Sequence, residues 1–227
     1  MTRVKICGVT SEEDVALVAA AGADAIGVIA EVPVDTPREV SLDRARDLVC
    51  ATPPYVTSVL VTMGSNPDRI IERVEHTAPD ALQIHGELGP GDLAYLRSNV
   101  DAALTAVIGP DERETAIVSD AVVDAFVVDS TDDSGAGGTG ETHDWGRTHR
   151  LSTSIASPVI LAGGLDPENV ERAVETVAPY AVDVASGVES TGGVKDPVAV
   201  STFVDRANGA GGRVALDENA RGQSRAG

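Results

Sequence analysis

A closed (β/α)8 TIM barrel is the fold this sequence predicts, on three observations. Strand-type and helix-type segments alternate eight times, they recur every roughly 20–30 residues, and the glycine-rich turns come late in the chain. Alternation implies a parallel sheet, because parallel neighbours need a crossover connection. Eight units within about 210 residues suit a barrel near the short end of its range. A doubly wound open sheet would instead carry a glycine fingerprint after an early strand. The first strand-to-helix turn here, CGVTSEED, has one glycine.

The elements read in order as follows. The first strand is expected over residues 4–7, before a helix opening at Ser11. That serine is a ready N-cap, and Glu12, Glu13 and Asp14 place acids in the first turn. The second to fourth pairs are strands at 25–30, 55–62 and 81–85, with helices at 41–50, 66–77 and 91–98. The fifth and sixth pair 103–108 with 112–121 and 125–129 with 145–152. The last two pair 158–162 with 167–177 and 182–186 with 197–207. The strand segments are short apolar runs, as expected of strands covered on both faces. Residues 1–207 therefore form one barrel domain. Residues 208–227 are polar and glycine-rich with no sustained period, and read as a flexible tail outside it.

Charge narrows the partners. Asp and Glu number 36 against 17 Lys and Arg, a net of −19. Only Lys5 and Lys195 are lysines; the other basic residues are arginines. An acidic, lysine-poor surface suits a salt-rich cytoplasm and argues against nucleic acid or an anionic membrane as partner. At molar salt the screening length is about 3 Å, so an anionic substrate feels only the groups lining its site. No 18-residue apolar run and no signal-peptide pattern is present. Two cysteines, Cys7 and Cys50, are too few for a disulfide scaffold, so a reduced cytoplasmic protein is expected.

In a barrel of this kind the chemistry belongs at the C-terminal strand ends. Three turns there are rich in glycine: Gly138, Thr139 and Gly140 after the sixth strand, Gly163 and Gly164 after the seventh, and Ser186 and Gly187 after the eighth. Backbone N–H groups without an obstructing Cβ can hold a phosphate. The first four turns have no glycine pair, which points to a single phosphate site. Cys7 ends the first strand and Asp129 the sixth, on opposite sides of the mouth, so a substrate between them could meet an acid and a base. Arg38, after the second strand, is a candidate clamp for a carboxylate. Gln83 and His85 share a face of the fourth strand, as Asp183 does with Ala185 on the eighth, and polar side chains on strands that should be buried call for partners or a function. Lys5 shares a strand face with Cys7. No His, Cys and Asp spacing has metal-site character.

These residues, in this order, resemble the phosphoribosylanthranilate isomerase family of tryptophan biosynthesis. The matching stretches are KICGVT (5–10), GADAIGV (22–28), TPREV (36–40), LQIHGE (82–87), VVDS…GGTG…DW (127–145), VILAGGLDPENV (159–170) and VDVASGVES…GVKD (182–196). The resemblance implies a ribulose-phosphate-binding barrel that carries out an Amadori rearrangement of N-(5-phosphoribosyl)anthranilate. By the same resemblance Asp129 is the general acid, Cys7 the general base and Arg38 the holder of the anthranilate carboxylate, with the glycine turns on the phosphate. Gln83, His85 and Asp183 join the substrate-binding set. No metal or organic cofactor is implied, and a monomer or homodimer is expected. The acid must stay protonated while the base does not, so the site is expected to raise Asp129 and lower Cys7. The segment IAEVPVDTPR departs from the family, which commonly has an aromatic-containing GFVF-like stretch and Ser-Pro-Arg. A related ribose-phosphate barrel isomerase, of the histidine pathway or dual-specificity, and a non-catalytic phosphate-binding barrel are the alternative readings. If the charge reflects salt adaptation, the unfolding temperature should rise steeply between low and molar KCl. Full stability in dilute buffer would refute that origin.

Overall fold

The computed structural model describes residues 2–86, 88–129 and 144–224, with residues 213–224 as backbone alone. Its first half runs β1 (Arg3–Cys7), α1 (Glu12–Ala20), β2 (Ala25–Ile29), α2 (Leu42–Ala51), β3 (Thr57–Met63), α3 (Pro67–Thr77), β4 (Ala81–His85) and α4 (Pro90–Asn99). The second half runs β5 (Ala103–Ile108), α5 (Arg113–Ser119), β6 (Ala125–Val128), α6 (Trp145–Ser152), β7 (Val159–Leu161), α7 (Val170–Val177) and β8 (Ala181–Val184). A two-stranded hairpin, β9 (Glu189–Thr191) and β10 (Val194–Lys195), then precedes α8 (Pro197–Ser224). The eight strands pair in sequence order and in parallel, and β1 closes the barrel on β8.

Two apolar clusters follow from the two-residue alternation of strand side chains. The larger fills the space between sheet and helices and includes the fully buried Ile6, Leu60, Leu82, Phe126 and Phe203. The smaller lies with the opposite strand face, made of Cys7, Val59, Val61 and Ala81. Beside it Lys5, Gln83, Thr105 and Asp183 are buried polar residues. The smaller cluster is thus thin and chemically loaded.

Helix starts follow local capping chemistry. Ser11 accepts a hydrogen bond from the Asp14 N–H at 3.1 Å and Ser41 from that of Arg44 at 3.2 Å. Asn66 accepts from the Asp68 and Arg69 N–H groups, with Pro67 at the first helical position where its missing donor costs nothing. The main departure at a helix start is α7, which begins at Val170 instead of 167. Asp166 and Asn169 exchange side-chain-to-backbone hydrogen bonds of 2.9 and 3.1 Å, fixing a turn ahead of the helix. At the other end of the chain, α8 continues through the stretch that the sequence reading sets apart as a tail. No proline interrupts it after Pro197, and Ala210 is fully buried, so the packed face extends beyond residue 207. Glycines 209, 211 and 212 each weaken a helix by about 1 kcal/mol relative to alanine, which is why the sequence alone ends it early.

An aspartate recurs at the N-terminal face of the barrel. Asp24, Asp80 and Asp124 each precede an even-numbered strand and accept, at 2.8 Å, the N–H group of the second residue of β1, β3 and β5, from Val4, Ser58 and Leu104. Asp80 also accepts from the Ser58 hydroxyl at 2.7 Å, and that hydroxyl accepts from the Asp80 N–H at 3.0 Å. These clamps fix strand register at the end of the barrel away from the mouth, where a charge serves stability. Asp80→Ala should therefore lower unfolding free energy by about 1–2 kcal/mol, read by thermal or urea denaturation, with turnover at moderate temperature unchanged. An unaltered midpoint would show that the clamp adds nothing to stability.

Candidate active site

One cavity at the C-terminal end of the barrel is lined by residues far apart in sequence. Cys7, Arg38, Asp129 and Asp183 contribute to it, as do Gln83 and His85. The turn after β7 adds Gly163 and Gly164, and the turn after β8 adds Ser186. Gly138, Thr139 and Gly140, expected to complete the glycine set, lie outside the described residues. Gly187 is explained by packing. A Cβ there would sit 2.0 Å from the Leu165 carbonyl oxygen, so only glycine lets the β7 and β8 turns touch. Gly163 and Gly164 have φ of 86° and 62°, the left-handed region that favours glycine. Asn169 pins this turn by donating to the Gly164 carbonyl at 2.8 Å.

Barrel closure sets the electrostatics. Lys5 and Asp183 are register partners across β1 and β8, and Lys5 Nζ donates to Asp183 Oδ2 at 2.7 Å with both side chains buried. Burial alone would lower the Lys5 ammonium. The negative charge of Asp183, and after it Cys7, outweighs burial and raises it, so Lys5 stays protonated. Cys7 is 7% exposed and lies opposite Gly27. A Cβ on Gly27 would come within 2.8 Å of the Cys7 sulfur and 3.1 Å of Lys5 Cε, so this glycine makes the space in which thiol and ammonium meet.

The expectation of a lowered Cys7 is not met. Burial pushes the thiol up and is the largest influence; Lys5 pulls it down, Asp183 pushes it up, and the balance is upward. Much of the Lys5 field is spent on Asp183. His85 moves the other way, down to about 4, first through burial and then through the Lys5 charge. Its imidazole is therefore neutral at pH 7. The Gln83 amide nitrogen lies 3.2 Å from His85 Nε2, which a neutral ring can offer as acceptor. Asp129 follows β6 directly and is 7% exposed, and its N–H donates to the Ile108 carbonyl at 3.1 Å.

Sequence reasoning misses two charged residues. Lys195 is 3% exposed; its Nζ donates to the Cys7 carbonyl at 2.6 Å, to Glu189 Oε1 at 2.7 Å and to the Ala185 carbonyl at 3.2 Å. Glu189 in turn holds Arg38. The scarcity of lysine was the available signal: both lysines of the chain lie buried here. Arg38 crosses Gly8, whose φ is 74° and whose substitution would put a Cβ 2.6 Å from Arg38 Cδ. The divergent segment after β2 places Val32 and Val34 on the cavity wall beside Ile29, Val61 and Met63. That wall is aliphatic.

Among the described residues there is no His, Cys, Asp and Glu cluster able to hold a metal ion, and no helix long and apolar enough to cross a membrane. A family model described as N-(5'phosphoribosyl)anthranilate (PRA) isomerase matches residues 4–206. The N-(5'-phosphoribosyl)anthranilate isomerase of Halobacterium salinarum is 55% identical over 210 residues, 91% of this chain and 96% of that protein. Among solved structures, phosphoribosyl anthranilate isomerase from Thermotoga maritima superposes with a TM-score of 0.81 at 32% identity, covering 92% of this chain and 100% of that one. A phosphoribosyl anthranilate isomerase in complex with reduced 1-(o-carboxyphenylamino)-1-deoxyribulose 5-phosphate gives 0.79 at 30% identity, with coverage of 92% and 100%.

The depressed His85 implies a pH dependence. The unfolded chain binds a proton near pH 6.5, whereas the folded one does so only near 4. Between these values the unfolded state holds more protons, so this residue's contribution to stability falls as pH drops from about 6.5 towards 4. The stability difference between wild type and His85→Gln should shift against the wild type across that window, measured by denaturation in molar KCl. A constant difference from pH 7 to 4 would show that His85 titrates as a free histidine.

Proposed function

The chain belongs to the N-(5'-phosphoribosyl)anthranilate isomerase family, and on that premise we propose how its own residues perform the reaction. The activity is the isomerisation of N-(5-phosphoribosyl)anthranilate to 1-(2-carboxyphenylamino)-1-deoxyribulose 5-phosphate in tryptophan biosynthesis. The observation that carries the assignment of roles is the meeting of Cys7, Arg38, Asp129 and the Gly163–Gly164 turn around one cavity.

Asp129, as general acid, protonates the furanose ring oxygen. The C1–O bond breaks while the anilino nitrogen lone pair forms the open-chain iminium. Cys7, as thiolate, takes the proton from sugar C2, and the electrons of that C–H bond neutralise the iminium to give the enol amine. Tautomerisation of the enol yields the ketone. Atoms and charge balance without an external reductant, oxidant or metal.

The raised Cys7 thiol fits this order. The iminium is a cation that forms close to Cys7 only after ring opening, and an adjacent positive charge favours thiolate. Together with Lys5, it lowers the thiol at the step that needs a base. Arg38 binds the anthranilate carboxylate, and the aliphatic wall of Ile29, Val32, Val34, Val61 and Met63 receives the aromatic ring. The backbone of Gly163, Gly164, Ser186 and Gly187 takes the phosphate, joined by Gly138, Thr139 and Gly140. Gln83, His85 and Asp183 serve the sugar hydroxyls. On this reading the enzyme works in the cytoplasm as a monomer or homodimer, and the cavity-lining groups all come from one chain.

Cys7→Ser and Asp129→Asn should each reduce kcat by roughly 10²–10⁴-fold while circular dichroism and the melting profile stay close to wild type. The assay is loss of anthranilate fluorescence from freshly generated substrate at low and molar KCl. Wild-type-like turnover in either variant would remove that residue from its role.

A further inference from the structure

The hairpin of β9 and β10 belongs to no β/α unit, and it grips the loop that carries Arg38. Glu189 engages Arg38 side-on with both oxygens, Nε to Oε1 at 2.9 Å and Nη2 to Oε2 at 2.7 Å. On the opposite strand of the hairpin, Lys195 is the register partner of Glu189 and donates to its Oε1 at 2.7 Å. The hairpin turn presses on Pro37: a Cβ at Gly193 would fall 2.5 Å from the Pro37 carbonyl oxygen. Thr10 ties the same turn to the end of β1 through a 2.9 Å hydrogen bond to the Gly193 carbonyl.

The placement separates the two ends of the guanidinium. Arg38 lines the cavity and keeps 21% of its side chain exposed, whereas Glu189 is 4% exposed and does not line it. Glu189 therefore holds Arg38 from behind. Two of the five guanidinium N–H groups go to Glu189, which leaves three, all on the Nη1 and Nη2 end. A planar fork fixed along one edge presents its other edge in a set direction, and that suits bidentate capture of a second carboxylate. A free arginine would have to give up rotamer freedom on binding. Burial opposes the charge on Glu189, but hydrogen bonds from Arg38 and Lys195 win and keep it ionised.

We propose that Glu189 is a positioning residue for substrate binding, orienting Arg38 towards the aryl carboxylate while Lys195 anchors Glu189 to the strand that carries Cys7. This rests on the assignment of Arg38 under the proposed function and adds to it the group that aims the clamp. It also gives the hairpin a task, as a bracket joining the ends of β1 and β8 to the loop after β2.

The test uses two competitive ligands on the full chain. One is reduced 1-(o-carboxyphenylamino)-1-deoxyribulose 5-phosphate, which bears the aryl carboxylate; the other is ribulose 5-phosphate, which lacks it. Glu189→Gln should weaken the first at least tenfold and leave the second within twofold, with KM for phosphoribosylanthranilate rising and kcat within about threefold of wild type. Glu189→Asp, which keeps the charge one methylene further back, should fall between the two and serves as the second variant if Glu189→Gln does not fold. In an Arg38→Met background, Glu189→Gln should add less than twofold. Equal weakening of both ligands, or a full additional effect without Arg38, would overturn the proposal. Failure of the Arg38 assignment is seen separately: Arg38→Met alone would then leave affinity for the carboxylate ligand unchanged.

Discussion

Pairing of the first strand with the last is the interaction on which the rest of this structure depends. It closes the sheet, and its register sets Lys5 opposite Asp183. A slip of β1 by one residue would turn Lys5 to the helical face and leave Asp183 facing the barrel interior without it. Closure and electrostatics are thus one event. The sheet cannot close in register without forming the buried ion pair, and the pair has no solvent-screened alternative.

Buried ion pairs are poor sources of stability, because desolvation offsets most of the attraction. Two such arrangements at one mouth, Lys5 with Asp183 and Lys195 with Glu189 and Arg38, therefore point to function. The first sets the field at the Cys7 sulfur, and the second braces the loop that brings Arg38 to the cavity. Stability comes from elsewhere: the apolar layer between strands and helices, and the aspartate clamps on the opposite face. The molecule keeps its costs and its supports at opposite ends of the barrel.

Much of this was legible before any coordinates. Alternating apolar runs located all eight strands to within a few residues, because strands covered on both faces cannot vary freely in polarity. Cys7, Arg38, Asp183 and the glycines after β7 were legible because strand ends in a barrel share one mouth. Glu189 and Lys195 were not, since they sit on a hairpin with no place in the β/α period and their partners lie far away in sequence, at Cys7 and Arg38. Gly27 was hidden for a related reason: its meaning is the volume it leaves for two neighbours on another strand. The direction of the Cys7 shift could not be read either, because Lys5 serves two anions and the sequence does not say how its charge is shared.

The burial of both lysines has a consequence for the life of the protein. Aldehydic sugar phosphates condense slowly with exposed primary amines, and the damage they leave begins with the same rearrangement that this family catalyses. Here the surface cations are arginines, while Lys5 and Lys195 are held in ion pairs and largely shielded from solvent. A protein that spends its working life beside a reactive ribose phosphate thus offers that sugar no exposed lysine to glycate.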